Sequence, residues 1–285
     1  MNSATAGGGP FQIATWNVNS LRVRGEQLLE WLRTTQTDVV ALQETKIQDP
    51  DFPQSTFTAA GYHSVFSGQK TYNGVALLSR LPMTDVVRDI PGFDDPPRRV
   101  LAATIGAFRV INLYVPNGQA PGSEKFAYKL KWLAALTQWL RTEAEKHPGL
   151  VVLGDFNVAP EDRDVHDPAA WVGCVHVSPE ERAAFAAVTD LGLVDAFRHF
   201  EQPEKSFSWW DYRQGAFRRN SGLRIDLILV HRQLLPSLTG VRIDVEPRRV
   251  ERASDHTPVI ASFEPAKAAA LQSPAVRGDS GLTRA

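Results

Sequence analysis

Apolar residues in this chain gather into short unbroken runs, and several of those runs end on an acid or an amide. The plainest is Leu150-Val151-Val152-Leu153, which passes through Gly154 to Asp155, with Asn157 two positions further on. A continuous apolar run of this length is a strand covered on both faces, so the pattern predicts buried strands whose ends carry the polar groups. Residues 11–16 lead in the same way into Asn17, and Val39-Val40-Ala41-Leu42 leads into Gln43-Glu44. Further strands are predicted at 75–78, 101–105, 109–115, 224–230 and 259–263. Leu28, Trp31, Leu32 and Thr35 fall at helical spacing, as do Phe126, Leu130, Leu133 and Leu140. Ser178-Pro179-Glu180-Glu181 is a capping box with proline in the first turn of a third helix.

Strands alternate with helices and also pair as hairpins, so the sheets should be mixed. Ala14-Thr15-Trp16-Asn17-Val18 echoes Gly154-Asp155-Phe156-Asn157-Val158, each behind an apolar strand. The echo predicts two similar sheets packed face to face with helices outside, and a site at one edge where strand ends of both halves meet. Residues 11–264 form one expected domain. The stretches 1–10 and 265–285, rich in Ala, Ser, Gly and Pro without hydrophobic periodicity, are expected to be flexible tails.

Composition narrows the class. At 285 residues and 43% hydrophobic content the chain can bury a large core. Its one cysteine, Cys174, excludes an internal disulfide and a thiolate-only zinc site, which points to a reducing, cytoplasmic compartment. No run approaches the roughly 20 apolar residues that span a bilayer, so no membrane role is expected. The net charge of −1 gives no overall basic field. Arg98-Arg99, Arg218-Arg219 and Arg248-Arg249 remain as local clusters able to touch phosphates, and each also fits a solvated surface pair.

The strand ends carry the candidate chemistry. Asp155 and Asn157 sit two apart, so in an extended chain both side chains share one side. A carboxylate takes a proton from water or binds a cation, and a neighbouring amide donates to an anionic oxygen without competing for that proton. The pair suits hydrolysis of a phosphate ester. Asn17, Glu44, Tyr114, Asp226, Asp255 and His256 lie at or near other strand ends. Singly, each also has a structural reading, as turn former, cap or hydrogen-bonded core group; their common position favours a shared site. Asp255 beside His256 would hold that imidazole cationic.

Five stretches, in order, carry a resemblance: Thr15-Trp16-Asn17-Val18-Asn19-Ser20, Leu42-Gln43-Glu44-Thr45-Lys46, Gly154-Asp155-Phe156-Asn157, Gly222-Leu223-Arg224-Ile225-Asp226 and Ser254-Asp255-His256-Thr257-Pro258. Over about 11–264 the chain resembles the exonuclease III type of apurinic/apyrimidinic endonuclease, within the fold of pancreatic deoxyribonuclease-like phosphodiesterases. The resemblance implies an α/β four-layer sandwich and a divalent-metal phosphodiesterase. It implies a monomer acting on double-stranded DNA at abasic sites and 3′ ends. Glu44 matches the metal-binding carboxylate, with Asn17 and Asp255 in its network, and a hard oxygen site suits Mg²⁺, with Mn²⁺ able to replace it. Asp155 matches the residue that positions and deprotonates the attacking water. Asn157 and His256 match groups that hold the scissile phosphate, Tyr114 a phosphate-contacting tyrosine, and Asp226 a residue that orients the network.

Trp209, Leu223 and Ile225 match an apolar pocket that receives a flipped-out sugar lacking its base, which excludes an intact nucleotide by bulk; on aromatic content alone Trp209 and Trp210 also read as core. Lys46, Tyr72, Asn73, Arg98 and Arg99 fall where relatives present loops to the DNA backbone. His166, in the loop after Asn157, is a bulky residue expected to crowd the pocket and shift activity towards 3′ trimming. The rivals are a specialised 3′→5′ exonuclease, a headgroup phosphodiesterase of the same fold, and a non-catalytic DNA-binding module on this scaffold.

Overall fold

The computed structural model describes residues 9–271, so residues 1–8 and 272–285 of the expected tails lie outside the described residues. The chain opens with strand β1 (Phe11–Asn17), helix α1 (Leu21–Thr35), β2 (Val39–Gln43), α2 (Gln54–Ala59), β3 (His63–Ser67) and β4 (Val75–Ser79). Then come β5 (Met83–Arg88), β6 (Val100–Ile105), β7 (Phe108–Tyr114), α3 (Glu124–Lys146), β8 (Leu150–Asp155), α4 (Pro179–Thr189), β9 (Leu193–Asp195) and β10 (Asp226–His231). The last elements are β11 (Leu238–Ile243), β12 (Val259–Phe263) and α5 (Pro265–Ala270).

Two six-stranded sheets result, ordered β11-β12-β1-β2-β4-β3 and β5-β6-β7-β8-β10-β9. Both are mixed: β1 pairs parallel with β2 and β7 with β8, while their other neighbours run antiparallel. Alternate residues of each strand serve different layers. Ile13, Val39, Ala41, Leu77, Val110, Val151, Leu153 and Ile228 meet between the sheets. Ala14, Trp16, Val40 and Leu42 turn outward onto Leu28, Trp31 and Leu32 of α1. On the other side Ile111, Leu113, Val152 and Leu229 take Trp132, Leu136 and Leu140 of α3 with Phe185 of α4. The result is the expected four-layer sandwich of helix, sheet, sheet and helix.

One polar bridge crosses between the sheets next to the functional edge. Gln43 Nε2 donates to Asn112 Oδ1 at 2.7 Å, and Asn112 Nδ2 donates to the carbonyls of Leu42 and Ala76, both at 2.9 Å. With their donors satisfied, these buried amides fix how the end of β2 sits on β7.

The internal repeat differs from the one read in the sequence. A strand, a helix and a parallel strand occur twice, as β1-α1-β2 and β7-α3-β8, so the counterpart of β1 is β7 and that of β8 is β2. The echo between residues 14–18 and 154–158 therefore joins non-equivalent strands. It arises because every strand ending at this edge needs the same apolar run followed by a polar turn.

Three further expectations are corrected. The strand predicted from 224 begins at Asp226, because Arg224 is drawn into buried ion pairs with Asp164 and Asp195, both at 2.7 Å. The tail predicted from 265 starts as helix α5, seated by the fully buried Ala268. On α3 the buried face holds Lys129 in place of Leu130, which is only partly covered.

Candidate active site

The ends of β1, β2, β7 and β8 open on one edge, and antiparallel β10 and β12 begin there. That geometry collects Asn17, Glu44, Tyr114, Asp155, Asp226 and His256 from six strand termini. Register does part of the placing: Tyr114 lies opposite Asp155, and Asp226 lies opposite Asp155 on its other flank. Gly154 is essential to this approach, since at φ 148° a Cβ there would stand 1.9 Å from the Leu113 carbonyl oxygen.

Asn17 Nδ2 donates to Glu44 Oε1 and to Asp155 Oδ2, both at 2.9 Å, and so ties the two sheets' carboxylates together. Asp155 Oδ1 accepts from the backbone N–H of Asn157 at 2.9 Å. His256 Nδ1 lies 2.9 Å from Asp226 Oδ2, and its Nε2 lies 3.7 Å from Asp155 Oδ2. A second chain runs beside the first. Lys46 Nζ reaches Glu44 Oε2 at 2.8 Å and Asn19 Oδ1 at 2.5 Å, and Asn19 Nδ2 donates to Asp255 Oδ1 at 2.9 Å. The other oxygen of Asp255 accepts from Trp209 Nε1 at 3.0 Å.

Burial drives the titration of this cluster. Taking Asp155 out of water raises its pKa well above the usual carboxylate range; His256 opposes the shift and Asp226 adds to it. The imidazolium of His256 is likewise disfavoured by burial, but Asp226 and then Asp155 more than offset this and raise its pKa to about 10. Burial pushes Glu44 up too, and Lys46 with the Asn17 amide outweighs it, holding that carboxyl below its ordinary value. Tyr114 is raised well above 10 by burial and by the Glu44 and Asp155 charges, so its hydroxyl stays a donor. The edge therefore holds a cationic imidazole, a neutral phenol and a raised carboxyl side by side.

The donor set fits a hard divalent cation. Ligand atoms of Glu44, Asp155 and His256 lie within 4.8 Å of one another. With His256 turned through Nδ1 to Asp226, the oxygens of Glu44 and Asp155 are the hard ligands of the group, the preference of Mg²⁺-like ions. The Lys46 ammonium against Glu44 Oε2 already marks where positive charge is stabilised.

Of the three residues expected to form the pocket, only Trp209 faces a cavity; Leu223 and Ile225 are buried behind it. Leu223 and Ile225 are buried with Ala159 and Val165, and Trp171, Val177 and Trp209 pack on them. Trp209 and Leu223 exchange backbone hydrogen bonds at 2.9 Å. His166, Trp171 and Trp209 line one cavity of about 450 Å³, with the His166 and Trp171 rings edge to face at 6.2 Å. Of the two adjacent tryptophans only Trp210 is core. The loops also gather: the backbone N–H groups of Thr45 and Lys46 donate to the carbonyls of Gly74 and Asn73 at 3.1 and 2.9 Å, and Gly74 N donates to Arg98 O at 2.9 Å. Tyr72 is exposed, Arg98 pairs with Asp89 at 2.7 Å, and Arg99 stacks on the Tyr114 ring at 4.7 Å.

Several residues sit otherwise than the sequence suggested. The backbone turns at Asn157, with φ 49°, so it does not continue the extended chain of Asp155, and its Nδ2 donates to Val115 O at 2.9 Å. Asp255 contributes to the charge on His256 but is the least of its carboxylate partners; neighbours along an extended segment point apart, and Asp226 and Asp155 face the ring. Asn17 turns its nitrogen, not its oxygen, to the carboxylates. Asp255 lies outside the group of close ligand atoms.

Other contributors were not singled out from the sequence. Behind Asn157 lies a buried cluster: Lys129 Nζ donates to Asn157 O at 2.6 Å and to Glu181 Oε1 at 2.5 Å, and His176 Nδ1 lies 2.6 Å from Asn157 O. Lys129 was hidden in a helical stripe and His176 in a loop; Trp171 alone was discoverable, as the aromatic in a charged loop.

A two-sheet sandwich carrying carboxylates, an imidazolium and a divalent-cation site at one edge defines a class of hydrolytic phosphodiesterases. The chain belongs to the endonuclease/exonuclease/phosphatase family, whose profile matches residues 14–256. It is 37% identical over 267 residues to exodeoxyribonuclease III of Haemophilus influenzae, covering 89% of this chain and all of that one. Among solved structures it resembles the 3′-5′ exonuclease NExo of Neisseria meningitidis, with TM-score 0.88, 47% identity, and 89% and 100% of the two chains covered. It also resembles an AP endonuclease of Archaeoglobus fulgidus, with TM-score 0.86, 38% identity, and 89% and 99% covered.

Proposed function

We propose that this chain is a DNA repair nuclease in which Asp155 takes the proton of the attacking water while His256 and Tyr114 steady the phosphate oxygens. The observation that carries the assignment is the position of Asp155, held between Asn17 Nδ2 at 2.9 Å and His256 Nε2 at 3.7 Å beside Glu44. A raised carboxyl is suited to accept a proton near neutral pH. The His256 imidazolium, kept charged by Asp226, supplies a cationic donor, and the neutral Tyr114 hydroxyl a second one. Glu44, with Asp155 near it, would hold Mg²⁺, or Mn²⁺ in its place. What the ion supplies when bound is neutralisation of an anionic diester that otherwise repels its nucleophile. Asn157 and Asp255 serve as positioning groups, the first through the turn onto Asp155 and the second through Asn19 and Trp209.

The substrate is double-stranded DNA, cut 5′ to abasic sites and trimmed at 3′ ends, by a monomer in the cytoplasm. One observation favours trimming as the stronger activity: His166 stands in the cavity that Trp209 and Trp171 line. A relative at 47% identity, NExo, is described as a 3′-5′ exonuclease and as a 3′ phosphatase bound to a product DNA hairpin. The deciding test incubates the protein with a duplex carrying one abasic site and with an intact duplex having a recessed 3′ end. Each is run with Mg²⁺, with Mn²⁺ and with chelator. Metal-dependent action on either supports the nuclease; faster trimming than incision supports the His166 reading. Inertness of the folded protein on both overturns the assignment.

A further inference from the structure

Segment 207–220 has two faces. Trp209 and Arg219 line the cavity that contains His166, whereas Trp210 and Arg218 line a second cavity of about 810 Å³ on the opposite side. Two of the basic pairs seen in the sequence, Arg218-Arg219 and Arg248-Arg249, converge here, for Arg218, Arg248 and Arg249 all line the second cavity, together with Lys205 and Arg242. Glu204 is the only acid among its lining residues. Arg249 is paired with Glu246 at 3.1 Å. Among the described residues no carboxylate pairs with Lys205, Arg218, Arg242 or Arg248.

Arg248 is the most telling. Its guanidinium lies over Phe217 at 5.0 Å and over Tyr212 at 5.4 Å, which holds the plane rigid. Its Nη2 has one long bond, 3.5 Å to the Trp210 carbonyl, and among the described residues its buried Nε has no acceptor. A half-buried guanidinium with only a long hydrogen bond, grouped with three unpaired cations around one cavity, concentrates positive charge that a bound anion would offset. In a chain of net charge −1 the concentration is local. Planar forks and flexible ammonium groups around one cavity match phosphate oxygens.

We propose that this basic cavity is a phosphate-binding site, separate from the catalytic carboxylates and joined to them through the Trp209-Trp210 segment. Trp210 N donates to Asp255 O at 3.0 Å, and the Trp209 ring binds the Asp255 carboxylate. The phosphate belongs either to the DNA strand, away from the scissile bond, or to free phosphate or nucleotide released by the reaction.

The test uses the full chain carrying Arg218→Glu and Arg242→Glu, both at exposed positions. A control carrying Arg33→Glu and Arg141→Glu, also exposed, makes the same change of charge elsewhere. Binding of a labelled duplex with a recessed 3′ end is followed in chelator across NaCl concentrations, and melting is followed with inorganic phosphate and with a deoxynucleoside 5′-monophosphate. If the strand is the source, the cavity variant loses about tenfold in affinity beyond the control, and its log–log salt slope shrinks by about 1 to 2. The cleavage rate at saturating DNA stays that of the wild type. If free phosphate is the source, DNA binding is kept and the rise in Tm that phosphate gives the wild type disappears. Arg218→Lys with Arg242→Lys restores either property. A variant matching the control in affinity, slope and phosphate-induced Tm overturns the site, whatever the outcome of the nuclease assays.

Discussion

His256 reaches Asp226 Oδ2 through Nδ1 at 2.9 Å, so the nitrogen facing Asp155 is Nε2. This bond keeps the ring charged against a burial that opposes it. Its pKa of about 10 means that the imidazolium is present below that pH and lost above it, while Asp155 becomes a base only above the ordinary carboxylate range. Activity should therefore rise with pH as Asp155 ionises and fall near pH 10. Asp226→Asn removes the counter-charge, and we expect kcat to drop by about 10²- to 10⁴-fold, with the alkaline limb moving towards neutrality. A pH profile of kcat in which that limb stays in place would refute the pairing.

Glu44 holds two donors, Asn17 Nδ2 at 2.9 Å on one oxygen and Lys46 Nζ at 2.8 Å on the other. Glu44→Gln keeps the shape and removes the charge that a divalent ion needs. The Mn²⁺ concentration giving half-maximal cleavage should rise at least about tenfold, and Mn²⁺ binding followed by electron paramagnetic resonance should weaken in step. Equal Mn²⁺ affinity in the two proteins would move the metal away from Glu44.

How much of this was legible in the sequence follows burial. The eight strands that the apolar runs predicted are the eight interior strands of the two sheets; β3, β5, β9 and β11, which were not predicted, are the four edges. Interior strands are covered on both faces and so read as unbroken apolar runs, whereas Met83-Thr84-Asp85-Val86-Val87-Arg88 has no buried residue and no such run. The strand-end acids were legible for the same reason, as polar groups abutting apolar runs. What the sequence hid was direction: that Asn157 turns, that Asp255 faces Asn19 and Trp209, and that Lys129 lies inside a helix face. Each depends on contacts made by residues far away in the chain.

His166 meets Gly222 O twice, through its backbone N–H at 3.1 Å and its ring Nδ1 at 3.2 Å, and its ring lies edge to face with Trp171. Because the backbone bond to Gly222 survives loss of the ring, His166→Gly should empty space in the cavity while leaving the loop attached. We expect the ratio of abasic-site incision to 3′ trimming to rise by about tenfold or more, measured on the two duplexes under one metal. An unchanged ratio would show that the ring does not guard the pocket.

His176 makes acid a specific threat to the floor of the site. Its Nδ1 lies 2.6 Å from the Asn157 carbonyl, so Nδ1 must carry the proton, and Asn117 Nδ2 approaches Nε2 at 3.4 Å as a donor, so Nε2 must be bare. The ring is thus held neutral; burial, and next the Lys129 ammonium, lower its pKa to about 4. Between that value and the ordinary 6.5, the unfolded chain binds a proton that the folded chain refuses. The stabilisation is complete above about pH 6.5 and drains away as pH falls towards 4, with an upper size on the order of 3 kcal/mol. Glu181, held low against its own burial by Lys129, loses its contribution in the same direction but only below its ordinary 4.5, so the two windows separate. His176→Gln keeps a donor for the Asn157 carbonyl and cannot titrate. Its urea midpoint should change less than that of the wild type between pH 7 and pH 5, although it starts lower at pH 7. Parallel losses in the two proteins over that interval would assign the acid sensitivity to another group.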